Sequence, residues 1–545
     1  MTEEEAFYNG IVSYDELEAF DKRLACCLDD EILLANDLED RLEEEGYYLT
    51  DKERSTHMHV LGSTGSGKSK LLESMIRQDI QRNVGVCLID PHGELYYNIL
   101  FYIIKECDEE IQKKVYLVNP NSKNYLVSFN PFVRSSSVSP EVHANRMFEL
   151  LEKVWGQNFS DKPTLSRSLY NAFFTASVRE MSFPDLIDLV NPTNEDKRIK
   201  LVDSFTTNPL GDKDVENWWR EVSGLMSRGG RKTNIDIELT PVYSRLYRVA
   251  TSKLLLMSLQ NTNLNFKEII ENDGILLVNL AEGNDLDKKT AKLIGLMMTS
   301  ELLSIFKSRS EYFRFATDPN KQKEWNPFYF YVDEFHEFWT PDFKLILSGG
   351  RKFGIHLILA NQTFDQIRSL DESIYSEVMG NTKVKCYFAL EGFTDSLQAA
   401  EQFIPLGDEI KHIERRYKEI KNIHYEPTPN DRIPKFTTET IENTTWKTPQ
   451  EIRDPQARKI QNLKQRTFIF RSDEQKEIVF LITDWVFDIE CFEEEIEEFE
   501  KFVYLTHLDC YERLPVLMKK LKKFKTDNPV KKMKGFSGGT EDTFA

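Results

Sequence analysis

The chain has little cysteine: seven residues in 545, an odd number, with no two of them in a C-x-x-C pair. Cys87 and Cys386 sit inside apolar runs that read as buried strands. That excludes a disulfide framework and a cysteine-based zinc site, and fits small core residues in a reducing compartment. Long apolar runs are missing too. No uninterrupted stretch approaches the ~20 residues that span a bilayer. The opening MTEEEAFYNG lacks the basic-then-apolar order of a signal peptide, so a cytoplasmic location is expected. Positive charge is in deficit, with 70 Lys and Arg against 90 Asp and Glu, for a net charge of −20. This excludes a chain that coats nucleic acid over its whole surface. It leaves room for a locally basic channel, because repulsion is screened within about 8 Å at physiological salt. No internal repeat is present. Apolar residues (40%) and aromatics (12%) are ample for a large core, and the length suits more than one domain.

Residues 1–55 are acidic and mostly helical in pattern, with the carboxylate-dense run Leu38–Glu45 expected on a solvated helix or lid. Short apolar strands are expected at His57–Leu61, Gly85–Ile89 and Lys114–Val118, each followed by helix-forming sequence or a turn. Together residues 56–138 read as the first part of an α/β core. The stretch 139–266 becomes largely helical, an insertion in which Arg146–Val154 and Leu165–Arg179 are amphipathic. Strands resume in 267–406 at Gly274–Leu280, Pro327–Val332, Gly354–Ala360 and Val384–Leu390, as continuous apolar runs suited to a parallel sheet buried on both faces. A polar, Pro-containing excursion covers 407–450. Two further strands, Thr467–Phe470 and Glu477–Thr483, complete the core within 451–515, and 516–545 is expected to be a flexible lysine-rich tail. The fold class is α/β, with a mainly parallel central sheet flanked by helices.

The chemistry concentrates at Gly62-Ser63-Thr64-Gly65-Ser66-Gly67-Lys68-Ser69, which fits G-x-x-x-x-G-K-[ST]. Glycines let successive N–H groups turn inward around phosphates without a Cβ in the way. Lys68 would reach the β- and γ-phosphates, Ser69 would ligate Mg²⁺, and the helix that follows aims its N-terminus at the same anion. Its complement is Phe328-Tyr329-Phe330-Tyr331-Val332-Asp333-Glu334, an apolar strand ending in two acids. Successive side chains alternate along a strand, so Asp333 can serve the Mg²⁺ shell while Glu334 polarises the attacking water. Gly354–Ala360 leads to Asn361-Gln362, and Gln362 either senses the γ-phosphate or caps the strand. Gly350-Arg351-Lys352 precedes that strand and, taken alone, reads as a solvated basic turn.

With these motifs the chain resembles the FtsK/HerA superfamily of ring-forming DNA translocases, over roughly residues 55–400. Within it the motifs match best the type IV coupling proteins of conjugation and secretion, the TraD/TraG-like ATPases. Four stretches carry the resemblance: the P-loop, Leu88–Leu95 (LIDPHGEL), Val332–Phe335 (VDEF), and Ser348–Gly354 (SGGRKFG) leading to Ala360-Asn361-Gln362. It implies a RecA-like P-loop NTPase of the ASCE type using ATP and Mg²⁺. It also implies that Arg351 is a finger supplied to a neighbouring subunit, that Gln362 is a sensor, and that Asp90, His92 and Glu94 line the nucleotide or subunit edge. The resemblance further implies a homo-oligomer, expected to be a hexamer, that threads DNA without sequence preference. Arg228, Arg231 and Lys232 are the candidate backbone-tracking contacts, a make-up that suits a plain surface loop equally well. Two features depart from the family: no transmembrane helix is legible, and the acidic N-terminal stretch does not read as the small β-barrel of HerA proteins. A membrane, portal or nuclease partner is therefore expected. The alternatives to a translocase are a nucleotide-gated assembly or recruitment module and a HerA-like helicase.

Overall fold

The structure is a computed structural model that describes residues 31–37, 46–134, 138–156, 161–225, 235–249, 253–259, 263–283, 285–315, 325–403, 410–427, 432–447, 449–473, 479–483 and 486–527. Its strands are, in chain order, β1 (Glu31–Asp37), β2 (Gly46–Thr50), β3 (Met58–Leu61), β4 (Gly85–Asp90), β5 (Val115–Val118), β6 (Tyr125–Val127), β7 (Ile275–Asn279), β8 (Phe328–Val332), β9 (Ile355–Asn361), β10 (Val384–Tyr387), β11 (Ile410–Pro427), β12 (Arg432–Lys447), β13 (Thr467–Arg471), β14 (Val479–Ile482) and β15 (Tyr511–Arg513). The chain divides into two compact units. The first comprises Leu72–Leu359 and the residues from Val486 onward, and the second comprises Leu33–Leu71 and Ala360–Trp485.

In the first unit five strands run parallel in the order β9-β8-β4-β7-β5. Every residue of β4, β7 and β8 is buried, as their unbroken apolar sequence requires of strands covered on both faces. Because the strands are parallel and Ile89 pairs with both Val278 and Val332, their carboxyl ends share one edge of the sheet. Asp90, Asn279 and the Asp333-Glu334 pair are thereby brought to that edge, where ligands of open α/β sheets bind. The inserted helices follow as expected. Pro163–Arg179 and Pro140–Trp155 head the set, the latter capped by Ser139 with Pro140 at its first position. Trp219 locks the bundle by donating from Nε1 to Thr175 Oγ1 at 2.7 Å. The 28-residue helix Lys288–Phe315 packs against Pro140–Trp155 and against Asp342–Gly349.

In the second unit the order is β2-β1-β14-β13-β10-β3. β3 and β10 are parallel, while β13 joins β10, and β14 joins β13, antiparallel. β11 and β12 form a separate two-stranded sheet out of the expected excursion.

Two expectations need correction. The N-terminal stretch carries strands β1 and β2 where helix was expected, and only Asp51–Arg54 is helical among its described residues. β1 pairs antiparallel with β14, Asn36 opposite Ile482, so a partner more than 400 positions away decides its conformation over local propensity. The run Leu38–Glu45 lies outside the described residues. The lysine-rich segment is a helix, Leu514–Asp527, as far as it is described. Leu514, Leu517 and Leu521 recur at helical spacing and pack with Leu126, Leu256 and Leu259, which anchors one face and leaves the lysines outside.

Candidate functional site

The P-loop belongs to the second unit and the carboxylate strand to the first. In the second unit, β3 is wholly buried and delivers the chain into the Gly62–Gly67 turn, after which Lys68 opens the helix Lys68–Gln81. Gly65 and Gly67 take φ of 75° and 111°, values that side-chain-bearing residues rarely adopt. Nothing lies within 4 Å of where a Cβ on Gly65 would stand, so the tip of the loop is an open cradle. At Gly67 the reverse holds, since a Cβ there would meet the Arg466 Cα at 2.8 Å. The loop is held through its backbone: Gly62 N–H donates to Asn361 O (3.3 Å), Ser63 N–H to Ala389 O (3.0 Å), and Arg466 N–H to Ser66 O (2.7 Å). Lys68 is 6% exposed. This backbone cradle and buried cation fit a polyphosphate.

The end of β9 is anchored in the same unit. His59 Nε2 lies 2.7 Å from Asn361 Oδ1, and Nδ1 lies 3.0 Å from the Tyr387 hydroxyl. Burial lowers the His59 pKa to about 3, so the ring is neutral, donating at Nε2 and accepting at Nδ1. Asn361 Nδ2 in turn donates to Thr363 O at 2.6 Å. The adjacent Gln362 donates its N–H to Gln366 Oε1 (2.8 Å) and accepts at its own Oε1 from Thr64 Oγ1 (3.4 Å). The structure thus brings Gln362 to the P-loop.

In the first unit, Asp90 is 1% exposed and both of its oxygens are committed to backbone: Oδ1 accepts from His92 N–H (2.8 Å) and Oδ2 from Tyr96 N–H (2.9 Å). It ties down the turn that starts the helix Glu94–Glu106, with Gly93 at φ 84°. His92 and Glu94 are exposed on that turn. Asp333 and Glu334 are each 4% exposed. Asp333 donates its N–H to Ile89 O (3.1 Å) and accepts Glu334 N–H at Oδ1 (3.0 Å). Glu334 sits in the left-handed region at φ 46°, a conformation that costs about 1–3 kcal/mol and is characteristic of functional turns. His336 Nδ1 is 3.4 Å from Glu334 Oε2. Arg351 lies in the 3-10 turn Gly350–Phe353, directly after the helix Asp342–Gly349. That turn is secured by Arg309, which donates to Phe353 O at 2.6 Å and stacks 4.0 Å over the Trp325 ring. Arg228, Arg231 and Lys232 lie outside the described residues.

Comparison with known proteins bears on the same stretches. The family model for the central domain of helicase HerA matches residues 47–300, and the model for the TraM recognition site of TraD and TraG matches residues 327–403. Over these stretches the chain is similar to FtsK/HerA-type, coupling-protein-like ATPases. The Type 4 coupling protein DotL of Legionella pneumophila is 21% identical over 407 residues, covering 66% of this chain and 50% of that protein. The probable DNA double-strand break repair helicase HerA of Methanocaldococcus jannaschii is 28% identical over 102 residues, 19% of each chain. The chain thus spans about half the length of the first relative and a fifth of the second. Among solved structures, plasmid coupling protein TrwB in complex with a non-hydrolysable ATP analogue covers 88% of this chain and 95% of that one, at 13% identity and a TM-score of 0.49.

Around these stretches, sequence reading missed Arg466, His59, His336 and Arg309. Arg466 braces the P-loop through a main-chain N–H, a donor nearly every residue has, so nothing in its identity announces it. It holds φ 68° and fixes its guanidinium on Thr483, with Nε 3.3 Å from Oγ1. His59 reads as one polar residue in a buried strand. His336, two residues beyond Glu334, is the one that motif spacing could have suggested. No helix among the described residues is long and apolar enough to cross a membrane.

Proposed function

We propose that this chain is an ATP-driven motor that moves DNA, working as a homo-oligomeric ring, expected to be a hexamer, in conjugation, secretion, packaging or segregation. In this reading the N–H groups of Gly62–Gly67 and the Lys68 ammonium hold the phosphates of ATP. Ser69 and Asp333 offer the hard oxygen ligands that Mg²⁺ prefers, and the metal would neutralise phosphate charge. Glu334 takes the proton of the attacking water, Gln362 reads the γ-phosphate, and Arg351 serves the neighbouring subunit's nucleotide. The observation that carries the reading is the open, doubly left-handed P-loop in a chain whose strand β8 ends in a buried Asp and a backbone-strained Glu. The HerA and TraG/TraD matches over these same segments support DNA as the cargo.

ATP turnover is expected to rise several-fold on adding DNA, and to collapse in both Lys68→Ala and Glu334→Gln, with displacement of a triplex-forming strand as the readout of movement. DNA-independent turnover without displacement would sink the translocase and favour a nucleotide-gated assembly module. Unwinding of a forked duplex would favour a helicase.

A further inference from the structure

The turn after β8 carries a histidine between two glutamates in sequence, and the fold keeps it between them in space. His336 Nδ1 lies 3.4 Å from Glu334 Oε2, and Nε2 lies 3.9 Å from Glu337 Oε1. Glu337 is held from the long helix Lys288–Phe315: Lys292 Nζ donates to its Oε2 at 2.6 Å and Lys288 Nζ stands 3.8 Å from Oε1. Burial pulls the Glu337 carboxyl upward, but the Lys292 hydrogen bond and charge outweigh it and keep the group ionised below its ordinary range. From the inserted helix Pro140–Trp155, Lys153 donates to Trp339 O and faces the same Lys292–Glu337 pair, burial lowering its pKa to about 7. The Glu334 backbone is held at φ 46° with its N–H on Asp333, which fixes the point from which its side chain extends.

A carboxylate with an imidazole at one side, and a second carboxylate 3.9 Å from the far side of that imidazole, is an arrangement for passing a proton onward. We propose that His336 receives, at Nδ1, the proton that Glu334 strips from the attacking water, and that Glu337 orients the ring for this by taking up Nε2–H. The inference rests on the reading of Glu334 as the base. As water oxygen bonds to the γ-phosphorus, the bond from phosphorus to the leaving ADP oxygen breaks and one water proton passes to the Glu334 carboxylate. Glu334 passes that proton to the neutral imidazole, which later releases it to solvent, restoring carboxylate and neutral ring. His336 does not touch the substrate and acts through Glu334, so it is a positioning residue. Both ring contacts, at 3.4 and 3.9 Å, are longer than a hydrogen bond, as such contacts often are before substrate tightens them. Among the described residues, the charged groups near the ring include Glu334 on its own turn and Glu337 beside it, with Lys288 and Lys292 from one helix and Lys153 from the other facing Glu337. The carboxylates favour the charged ring and the lysines the neutral one, so the balance is tunable in variants.

The test compares His336→Gln, Glu337→Gln and Glu334→Gln in the full-length protein. His336→Gln is expected to lower kcat at least tenfold with KM for ATP and binding of a fluorescent ATP analogue unchanged. It should also remove the acid limb of the wild-type pH profile. Glu337→Gln should move that limb, and the His336 ring titration followed by NMR, to lower pH, because the ring loses its facing carboxylate. Should His336→Gln prove misfolded, Glu337→Gln alone decides through the ring titration and the limb. A wild-type acid limb and rate in His336→Gln, or an unmoved limb in Glu337→Gln, overturns the inference while Glu334→Gln remains inactive. Retained turnover in Glu334→Gln overturns the underlying reading instead.

Discussion

His59 shows how much a single buried side chain can commit. Its ring is neutral because burial lowers its pKa to about 3, whereas in the unfolded chain it titrates near 6.5. Below pH 6.5 the unfolded state therefore takes up a proton that the folded state refuses, and stability falls as pH falls, down to the folded pKa. The slope is about 1.4 kcal/mol per pH unit for each such group. His143, lowered to about 4 by burial, adds the same sign over pH 6.5 to 4. Thermal unfolding between pH 7.5 and 5.0 should show this loss. His59→Gln, whose amide can still donate to Asn361, should flatten it by one proton. At this scale the candidate catalytic residues were legible because their types are rare in their setting: a lysine after glycines, two acids after an apolar run. His59 and Arg466 were not. A lone histidine in an apolar strand has no chemical signature apart from its partners, and Arg466 acts through an atom common to nearly all residues.

Among the elements, the turn Asp90–Glu94 is where structure most sharpens the sequence reading. The resemblance implied that Asp90, His92 and Glu94 line the nucleotide or subunit edge, and the geometry gives Asp90 the task of accepting two N–H groups at the start of the helix Glu94–Glu106. Asp90→Asn would keep one acceptor and turn an NH₂ toward the other N–H, a cost of about 1–3 kcal/mol. The expected outcome is a melting temperature lowered by several degrees with KM for ATP essentially unchanged, measured by calorimetry and steady-state turnover. A large KM change with unaltered stability would return Asp90 to the nucleotide. The parallel strands were readable because burial on both faces forces unbroken apolar sequence, as in β4, β7 and β8. β1 and β2 were not, since β1 pairs with β14 far along the chain, β2 pairs in turn with β1, and the carboxylates around them mimic a solvated helix. The helix Leu514–Asp527 was hidden by its lysines, which mask a three-leucine face that becomes meaningful only once Leu126 and Leu256 are there to receive it.

For the whole molecule, the consequence that matters is assembly. If Arg351 serves a neighbour, Arg351→Ala and Glu334→Gln should each be inactive alone, since loss of such a finger costs roughly 10³–10⁵ in rate. An equimolar mixture should nevertheless recover turnover, because some interfaces then pair an intact Glu334 with an intact Arg351. Random assortment around a closed ring gives roughly a quarter of interfaces so composed. Turnover of the mixed preparation measures it directly, and a mixture as inactive as its parts would argue for a site complete within one subunit.

The brace between Arg466 and the P-loop also sets an order of events in synthesis. Ser66 and Gly67 emerge about 400 residues before the backbone that secures them. Bringing such distant segments together is entropically slow and waits for the intervening chain. The loop meant to grip phosphate therefore lacks its final support while the chain is being made. The nascent protein carries its nucleotide-binding sequence from the outset but acquires the braced shape only after β13 and β14 are in place. A motor timed in this way would mature as a nucleotide binder only once the C-terminal part of its own sheet exists.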